Sequence, residues 1–239
     1  MKKKIIQWIR RQVKEAGAKG IVMGLSGGID SSVVASLVKE ALGPSRVLGL
    51  FLPCHSHKQD LKDAKLIVQK LNIRTKLVDL SSSYDNLIKI MPQGNSLAKA
   101  NLKPRLRMLV LYYFANQLNY LVCGTGNKSE LMAGYFTKHG DGAVDILPIA
   151  DLFKKDVRKL AKELGIPYTI IGKPPTAGLW PGQTDEGEMG ITYNQLDDIL
   201  ERILDNKKQV ASLSRVRRVK DMIDRSGHKR QGPKICYIK

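Results

Sequence analysis

Ile21-Val22-Met23-Gly24-Leu25-Ser26-Gly27-Gly28-Ile29-Asp30-Ser31-Ser32-Val33-Val34 passes from a β-rich run into a helical one through a pair of glycines. Residues 21–25 are the short apolar run of a strand buried on both faces. From Ile29 the period changes: Ile29, Val33, Val34, Leu37, Val38, Ala41 and Leu42 fall on one helical face, and Gly43-Pro44 ends it. At the junction, Gly27 and Gly28 let the backbone turn sharply and approach a ligand closely. The first N–H groups of the helix, at the positive end of its dipole, then face whatever lies above the strand. An anion belongs there, since each amide bonded to a charged phosphate oxygen contributes about 1.5–3 kcal/mol. A tight turn capped by Ser26 is the plainer reading of the two glycines, but hydroxyls and the Asp30 carboxylate crowd into the same turn. The commoner phosphate loops are missing: there is no Gly-x-x-x-x-Gly-Lys-[Ser/Thr], and no Gly-x-Gly-x-x-Gly follows a strand. Kinase, GTPase and dinucleotide-oxidoreductase readings lose their support.

Outward from this turn the chain alternates β-rich and helical patterns. Strands are expected at Ile21–Leu25, Val47–Leu52, Thr75–Leu80, Tyr120–Gly124 and Val144–Ile149. Helices are expected at about 29–42, 59–71 and 96–118, and from Asp151, read as an N-cap, to just before Gly165. The alternation predicts an α/β fold, a doubly wound parallel five-stranded sheet with helices on both faces, which binds ligands above the carboxyl ends of its strands. Residues 172–190 hold five Gly and three Pro without a period. They read as a mobile active-site lid or as a linker to a helical appendage. Helices at about 192–205 and 207–225 follow, so residues 1–239 read as one domain with a basic helical C-terminus at 191–239.

The chain has 239 residues, 43% of them hydrophobic and 26% charged, which suits a compact domain and excludes fibrous or disordered classes. Its longest apolar run, about eight residues around Met108 to Ala115, falls short of the roughly twenty a membrane span needs. The basic start, Met1 to Arg11, reads as an amphipathic helix rather than a signal peptide, because Gln7 interrupts its apolar stretch. Cys54, Cys123 and Cys236 are three widely spaced residues without metal-ligand spacing. They read as small buried hydrophobes of a reduced, cytoplasmic protein. The net charge is +18, and half of it lies in residues 207–239, where eleven Lys/Arg face two Asp. Nucleic acid, phosphate-rich small ligands or a solvated basic face would each account for that excess. Tyr237 is the lone aromatic of that tail, so it is no stacking platform for single strands.

Ser26-Gly27-Gly28-Ile29-Asp30-Ser31-Ser32 resembles the pyrophosphate loop of the ATP pyrophosphatases, which cleave ATP between its α and β phosphates and adenylate a substrate oxygen. Four further segments resemble one branch of that superfamily, the ammonia-dependent NAD synthetases. They are Asn101-x-x-x-Arg105-x-Arg107-Met108; Gly124-Thr125-Gly126-Asn127-Lys128-Ser129-Glu130; Gly134-Tyr135-Phe136-Thr137-Lys138-x-Gly140-Asp141-Gly142-x-x-Asp145; and the stretch from Ala150-Asp151-Leu152-Phe153-Lys154 through Pro175-Thr176-Ala177 to Gln183-x-Asp185-Glu186. His228-Lys229-Arg230 extends the likeness to nearly the whole chain.

The resemblance implies an adenine-nucleotide alpha-hydrolase-like fold and a ligase that amidates deamido-NAD with ammonia through an adenylated intermediate, releasing AMP and pyrophosphate. It also implies a homodimer. ATP would be held by Gly24, Leu25, Ser26, Gly27, Gly28, Ile29, Asp30 and Ser31, with Thr125, Lys154 and Thr176, and deamido-NAD by Arg105, Lys138, Asp145, His228 and Lys229.

Asp30 and Glu130 each follow a strand's carboxyl end, so both can reach one crevice and hold Mg²⁺ against phosphate oxygens; a solvated helix position is the other reading of Glu130. Lys154 opposes its helix dipole, which a phosphate partner would explain, although a surface charge is the ordinary reading of any lone lysine. No covalent nucleophile is expected. A glutaminase needs an added domain with a nucleophilic Cys, and only about 20 residues precede the first strand, none of them Cys, so free ammonia is the expected donor. A tRNA-modifying ATP pyrophosphatase is the alternative. It calls for a Cys pair or an RNA-binding domain, so nucleic acid is not expected as a partner. A non-enzymatic nucleotide sensor would not need both Asp30 and Glu130.

Overall fold

The computed structural model describes residues 1–180 and 182–238. Helix α1 (Lys2–Glu15) leads into strand β1 (Gly20–Gly24), followed by α2 (Ile29–Leu42), β2 (Val47–Phe51), α3 (Lys58–Leu71), β3 (Arg74–Leu77), α4 (Ser81–Ile90), α5 (Ser96–Leu118) and β4 (Tyr120–Val122). The regular elements after β4 are helices: α6 (Lys128–Ala133), α7 (Lys154–Glu163), α8 (Tyr168–Ile171), α9 (Asp185–Met189), α10 (Tyr193–Leu204) and α11 (Leu213–Arg225).

The strands pair in parallel in the order β3-β2-β1-β4, with Ile21 opposite Val47 on one side of β1 and opposite Leu121 on the other. A central strand with sheet on both sides and helices on both faces cannot alternate in polarity, and Ile21, Val22 and Met23 are all fully buried. The face bearing α1, α2, α3 and α7 packs Ile9, Val33, Leu37, Ile67 and Leu160 into one apolar cluster. The opposite face packs Val22, Leu50 and Val122 under α5, with Leu106 and Val110 beside them. A third cluster joins Ala133 of α6 and Met189 of α9 to Leu196, Ile199, Val216 and Val219 of α10 and α11. The chain runs outward from β1 to β2 and β3, then returns through α5 to place β4 on the other side. The strand order therefore reverses between β1 and β4, which opens a crevice above their carboxyl ends.

The sheet has four strands among the described residues, not the expected five. Val144–Ile149 meets the sheet through a single parallel bridge, Cys123 to Ile146. Two local features stop the ladder. The Asp145 carboxylate takes the Val122 amide at 2.7 Å, and Pro148 has no N–H to donate, so the chain turns at Leu147–Ala150 instead.

The expected N-cap Asp151 is also corrected: Phe153 caps α7, while Asp151 is exposed and pairs with Lys128. The stretch 172–190 is not structureless throughout, since α9 lies inside it; its Pro181 falls outside the described residues. Cys54 and Cys123 are buried as expected, with burial pushing both thiols up, but Cys236 is exposed. No helix among the described residues is long and apolar enough to cross a membrane.

Candidate active site

The glycine turn is built as its residue types dictate. Gly27 sits at φ +77, and a Cβ there would run into the backbone carbonyl of Asp60 on α3. Gly28 caps α2, and its amide donates to Ser26 Oγ at 3.2 Å. Ser31 Oγ lies 3.0 Å from Ser26 Oγ and donates to the Gly28 carbonyl at 3.1 Å; Ser32 Oγ donates to the same carbonyl at 2.8 Å. Hydroxyls thus stitch the turn together, and the first-turn amides of α2 point above the sheet. Leu25 and Ile29 are buried beneath the turn, and Gly24 closes β1.

Asp30, in the first turn of α2, meets two groups from across the crevice. Its Oδ1 accepts from Asn127 Nδ2 at 3.1 Å and its Oδ2 from Lys154 Nζ at 2.5 Å. Asn127 is fully buried and caps α6 in a reciprocal box: its Oδ1 takes the Glu130 amide at 3.0 Å, and Glu130 Oε2 takes the Asn127 amide at 3.2 Å. One residue therefore orients both acids, Asp30 through its side-chain amide and Glu130 through its backbone N–H. Glu130 Oε1 faces Lys154 Nζ at 3.2 Å and the Tyr193 hydroxyl at 3.4 Å.

Lys154 is 2% exposed, with its ammonium 4.8 Å above the Tyr193 ring. Its position is set from behind. The Lys154 amide donates to Ser129 Oγ at 2.9 Å, Ser129 donates to Asp197 of α10, and Asp197 takes the Lys155 amide at 2.9 Å. Asp185 completes the group: its Oδ2 accepts from Tyr193 at 3.0 Å, while its buried Oδ1 has no partner among the described residues.

The electrostatics follow from burial. Desolvation pushes Glu130 up to about 7 against the pull of Lys154, and it raises Asp185 as well. Desolvation alone would lower Lys154, but Asp30 and Glu130 outweigh it and hold the ammonium charged. Three carboxylates around one ammonium leave an excess of negative charge that suits a second cation. No cluster of three or more protein donors is assembled for a metal among the described residues. Two converging carboxylates with phosphate and water as the remaining ligands fit Mg²⁺, which is seldom caged by protein alone.

Among the residues expected at ATP, Thr125 is half-buried just beyond β4, whereas Thr176 is exposed and its hydroxyl takes the Gly178 amide at 3.1 Å. Three of the five residues expected at the dinucleotide form one chain of contacts, and a fourth, Lys229, lies close by on the 134–136 backbone. Arg105 donates to the Lys138 carbonyl at 3.3 Å and Lys138 Nζ to the His228 carbonyl at 2.8 Å, while Lys229 Nζ holds the Gly134 and Phe136 carbonyls at 2.7 and 2.9 Å. Asp145 is engaged elsewhere, between the Val122 amide and the Tyr112 hydroxyl.

The 172–190 stretch is tied down at both sides of the site. Lys173 Nζ meets Asp60 and Asp63 of α3 at 2.6 and 2.8 Å, and Lys103 Nζ of α5 donates to the Leu179 carbonyl at 2.7 Å. Leu179 is half-buried and Trp180 exposed. Sequence reading missed Asn127, Tyr193 and these two lysine ties. The Asn-x-x-Glu spacing of a capping box was the available sign for Asn127; Tyr193 carried none.

The NAD synthase family model matches residues 1–233. The NH(3)-dependent NAD(+) synthetase of Archaeoglobus fulgidus is 48% identical over 238 residues, 99% of this chain and 96% of that protein. Two solved structures are similar across the fold. An NMN synthetase from Francisella tularensis is 40% identical, with a TM-score of 0.91 over 98% of this chain and 96% of that one. The NH3-dependent NAD synthetase from Campylobacter jejuni is 32% identical, with a TM-score of 0.87 over 99% of this chain and 97% of that one. With a family model spanning nearly all of its length and relatives approaching half identity, this chain belongs to the NAD synthase family.

Proposed function

We infer that the chain is a ligase that amidates the nicotinate carboxyl of deamido-NAD with ammonia, driven by ATP, and so makes NAD. The curated relatives that support this reading carry the name NH(3)-dependent NAD(+) synthetase at 44–48% identity over at least 98% of this chain. The observation that carries the chemistry is the Asp30–Lys154–Glu130 group in the β1/β4 crevice beside the glycine turn.

The nicotinate carboxylate attacks the α phosphorus of ATP, pyrophosphate leaves, and ammonia displaces AMP from the acyl adenylate. No protein nucleophile is required. The first-turn amides of α2 and the Lys154 ammonium meet the charge that builds on the departing pyrophosphate, fixed in place before the reaction starts. Mg²⁺ held by Asp30 and Glu130 would supply further charge neutralisation on the phosphates. Gly24 to Ser31, Thr125 and Thr176 belong to the nucleotide side. Arg105, Lys138, Asp145, His228 and Lys229 belong to the dinucleotide side. The 172–190 stretch acts as the lid that keeps water from the adenylate. The chain works as one catalytic unit, in a reducing cytoplasm, as a homodimer.

The test incubates the chain with ATP, Mg²⁺, ammonium and deamido-NAD, with nicotinate mononucleotide in a parallel arm because of the Francisella likeness. NAD, AMP and pyrophosphate in equal amounts are expected, with deamido-NAD the better substrate. ATP cleavage independent of either nicotinate substrate would overturn the reading. Asp30→Asn and Glu130→Gln are each expected to lower turnover by roughly a hundredfold or more while the far-UV spectrum stays as in wild type.

A further inference from the structure

The Lys154 ammonium stands between the two carboxylates assigned to the metal, 2.5 Å from Asp30 Oδ2 and 3.2 Å from Glu130 Oε1. A Mg²⁺ ion shared by the same two oxygens would sit about 2.0–2.1 Å from each. The ammonium and the ion would compete for the same two oxygens, and a divalent ion beside an ammonium in a largely desolvated crevice is strongly repelled. The side chain has no path into bulk water, since it is 2% exposed and covered by the Tyr193 ring. Of the three acids facing the ammonium, Asp30 and Glu130 are the two the metal would claim, and Asp185 accepts from Tyr193 through Oδ2 while its Oδ1 has no partner among the described residues. Giving way to the metal leaves the lysine to Asp185 and to a new anionic partner, and the first turn of α2, which carries Asp30, is where the phosphates of ATP are assigned.

We propose that Lys154 is a displaceable counter-ion of the metal site: its ammonium holds Asp30 and Glu130 together until the triphosphate draws it off, and only then does the divalent ion take its place. The inference rests on the metal and nucleotide assignments made above. Its consequence is an order of assembly, in which metal arrives with nucleotide and not before. Lys154 acts here as a positioning residue, keeping two buried carboxylates close together that would otherwise repel.

The experiment measures Mn²⁺ binding to the full chain by the loss of the free-ion EPR signal, without nucleotide, in wild type, D30N, K154M, K154Q and K154M/D30N. Wild type is expected to show no Asp30-dependent site below millimolar metal. K154M and K154Q are expected to bind one Mn²⁺ about tenfold tighter or better, because an unpaired buried carboxylate pair is costly, and K154M/D30N to lose that site. Mn²⁺ should raise the melting temperature of the two single lysine variants and leave that of wild type unchanged. K154Q keeps hydrogen-bonding capacity toward both acids and serves if K154M does not fold. Micromolar Mn²⁺ uptake by wild type that D30N abolishes would overturn the proposal, as would lysine variants that bind no tighter than wild type. A parallel titration with α,β-methylene-ATP separates the two levels. An Asp30-dependent Mn²⁺ site in wild type with that analogue leaves the metal assignment standing whatever the lysine variants do. The lack of such a site removes the metal assignment itself.

Discussion

Asn127 carries more of the site than its size suggests. Its Nδ2 holds Asp30, its Oδ1 caps α6, and its backbone N–H donates to Glu130 Oε2, so one buried residue ties the acid after β1 to the acid after β4. N127A removes a helix cap, which costs about 1 kcal/mol, and a change of that size lowers Tm by roughly 2–4 °C in a chain of this length. Loss of a partner that orients a ligand group lowers activity by about 10–100-fold. Both losses are expected together in a melting curve and a kcat/KM for ATP. A fall in stability with unchanged kinetics would confine Asn127 to the cap. The convergence of the two acids was legible, because the first turn of a helix that follows a strand in a parallel sheet lies above the strand's carboxyl end. The groups that aim them were less so. Tyr193 lies at the start of a helix about 60 residues from Glu130, and nothing local in Thr192-Tyr193-Asn194 marks it as facing a lysine.

At the scale of elements, the period changes told the truth about β1, β2, α2 and α5, whose apolar stripes are long and end at clear breakers or turn residues. Short elements were missed where capping, not burial, defines them. α6 is six residues held by its capping box, and α4 has no buried residue, its first amide at Ser81 being taken by Asp79 Oδ1 at 2.9 Å. The fifth strand failed for a side-chain reason, because Asp145 satisfies the Val122 amide that a ladder would have used.

The tie between residues 172–190 and α3 makes a pH prediction. Burial opposes ionisation of Asp63, yet hydrogen bonds from Lys173 and Gln59 hold its carboxyl below the usual range. A depressed folded pKa contributes stability above the unfolded value and loses it as pH falls through the folded value. Lys173 is raised against the pull of burial, so its share is complete below the ordinary lysine range and lost as pH rises through its folded value. Limited proteolysis within residues 172–190 should therefore be slow near neutral pH and accelerate below the ordinary carboxylate range. K173M should be cut quickly at neutral pH. Equal cleavage rates in wild type and K173M at neutral pH would show that the tie does not restrain the stretch.

On the scale of the whole molecule, α5 packs on the sheet while leaving large apolar side chains outside. Leu109 is 59% and Tyr113 64% exposed. Its apolar residues read equally as core or as a partner face, and the structure divides them: Leu106 and Val110 pack toward the sheet, Leu109 and Tyr113 face out. For the proposed dimer, L109E and Y113D are expected to shift the mass measured by light scattering from two chains to one. A wild-type mass of one chain would end the dimer assignment.

The C-terminal helices could be taken for an appendage, since their cluster of Leu196, Ile199, Val216 and Val219 is separate from the two that sandwich the sheet. The Ser129–Asp197 contact makes that view untenable. Asp197 belongs to α10, yet it fastens the leading end of α7 and thereby aims Lys154 across the crevice. A chain trimmed at residue 190 would retain the glycine turn, both acids and the lysine, and would still have lost the bracket from which that lysine is hung.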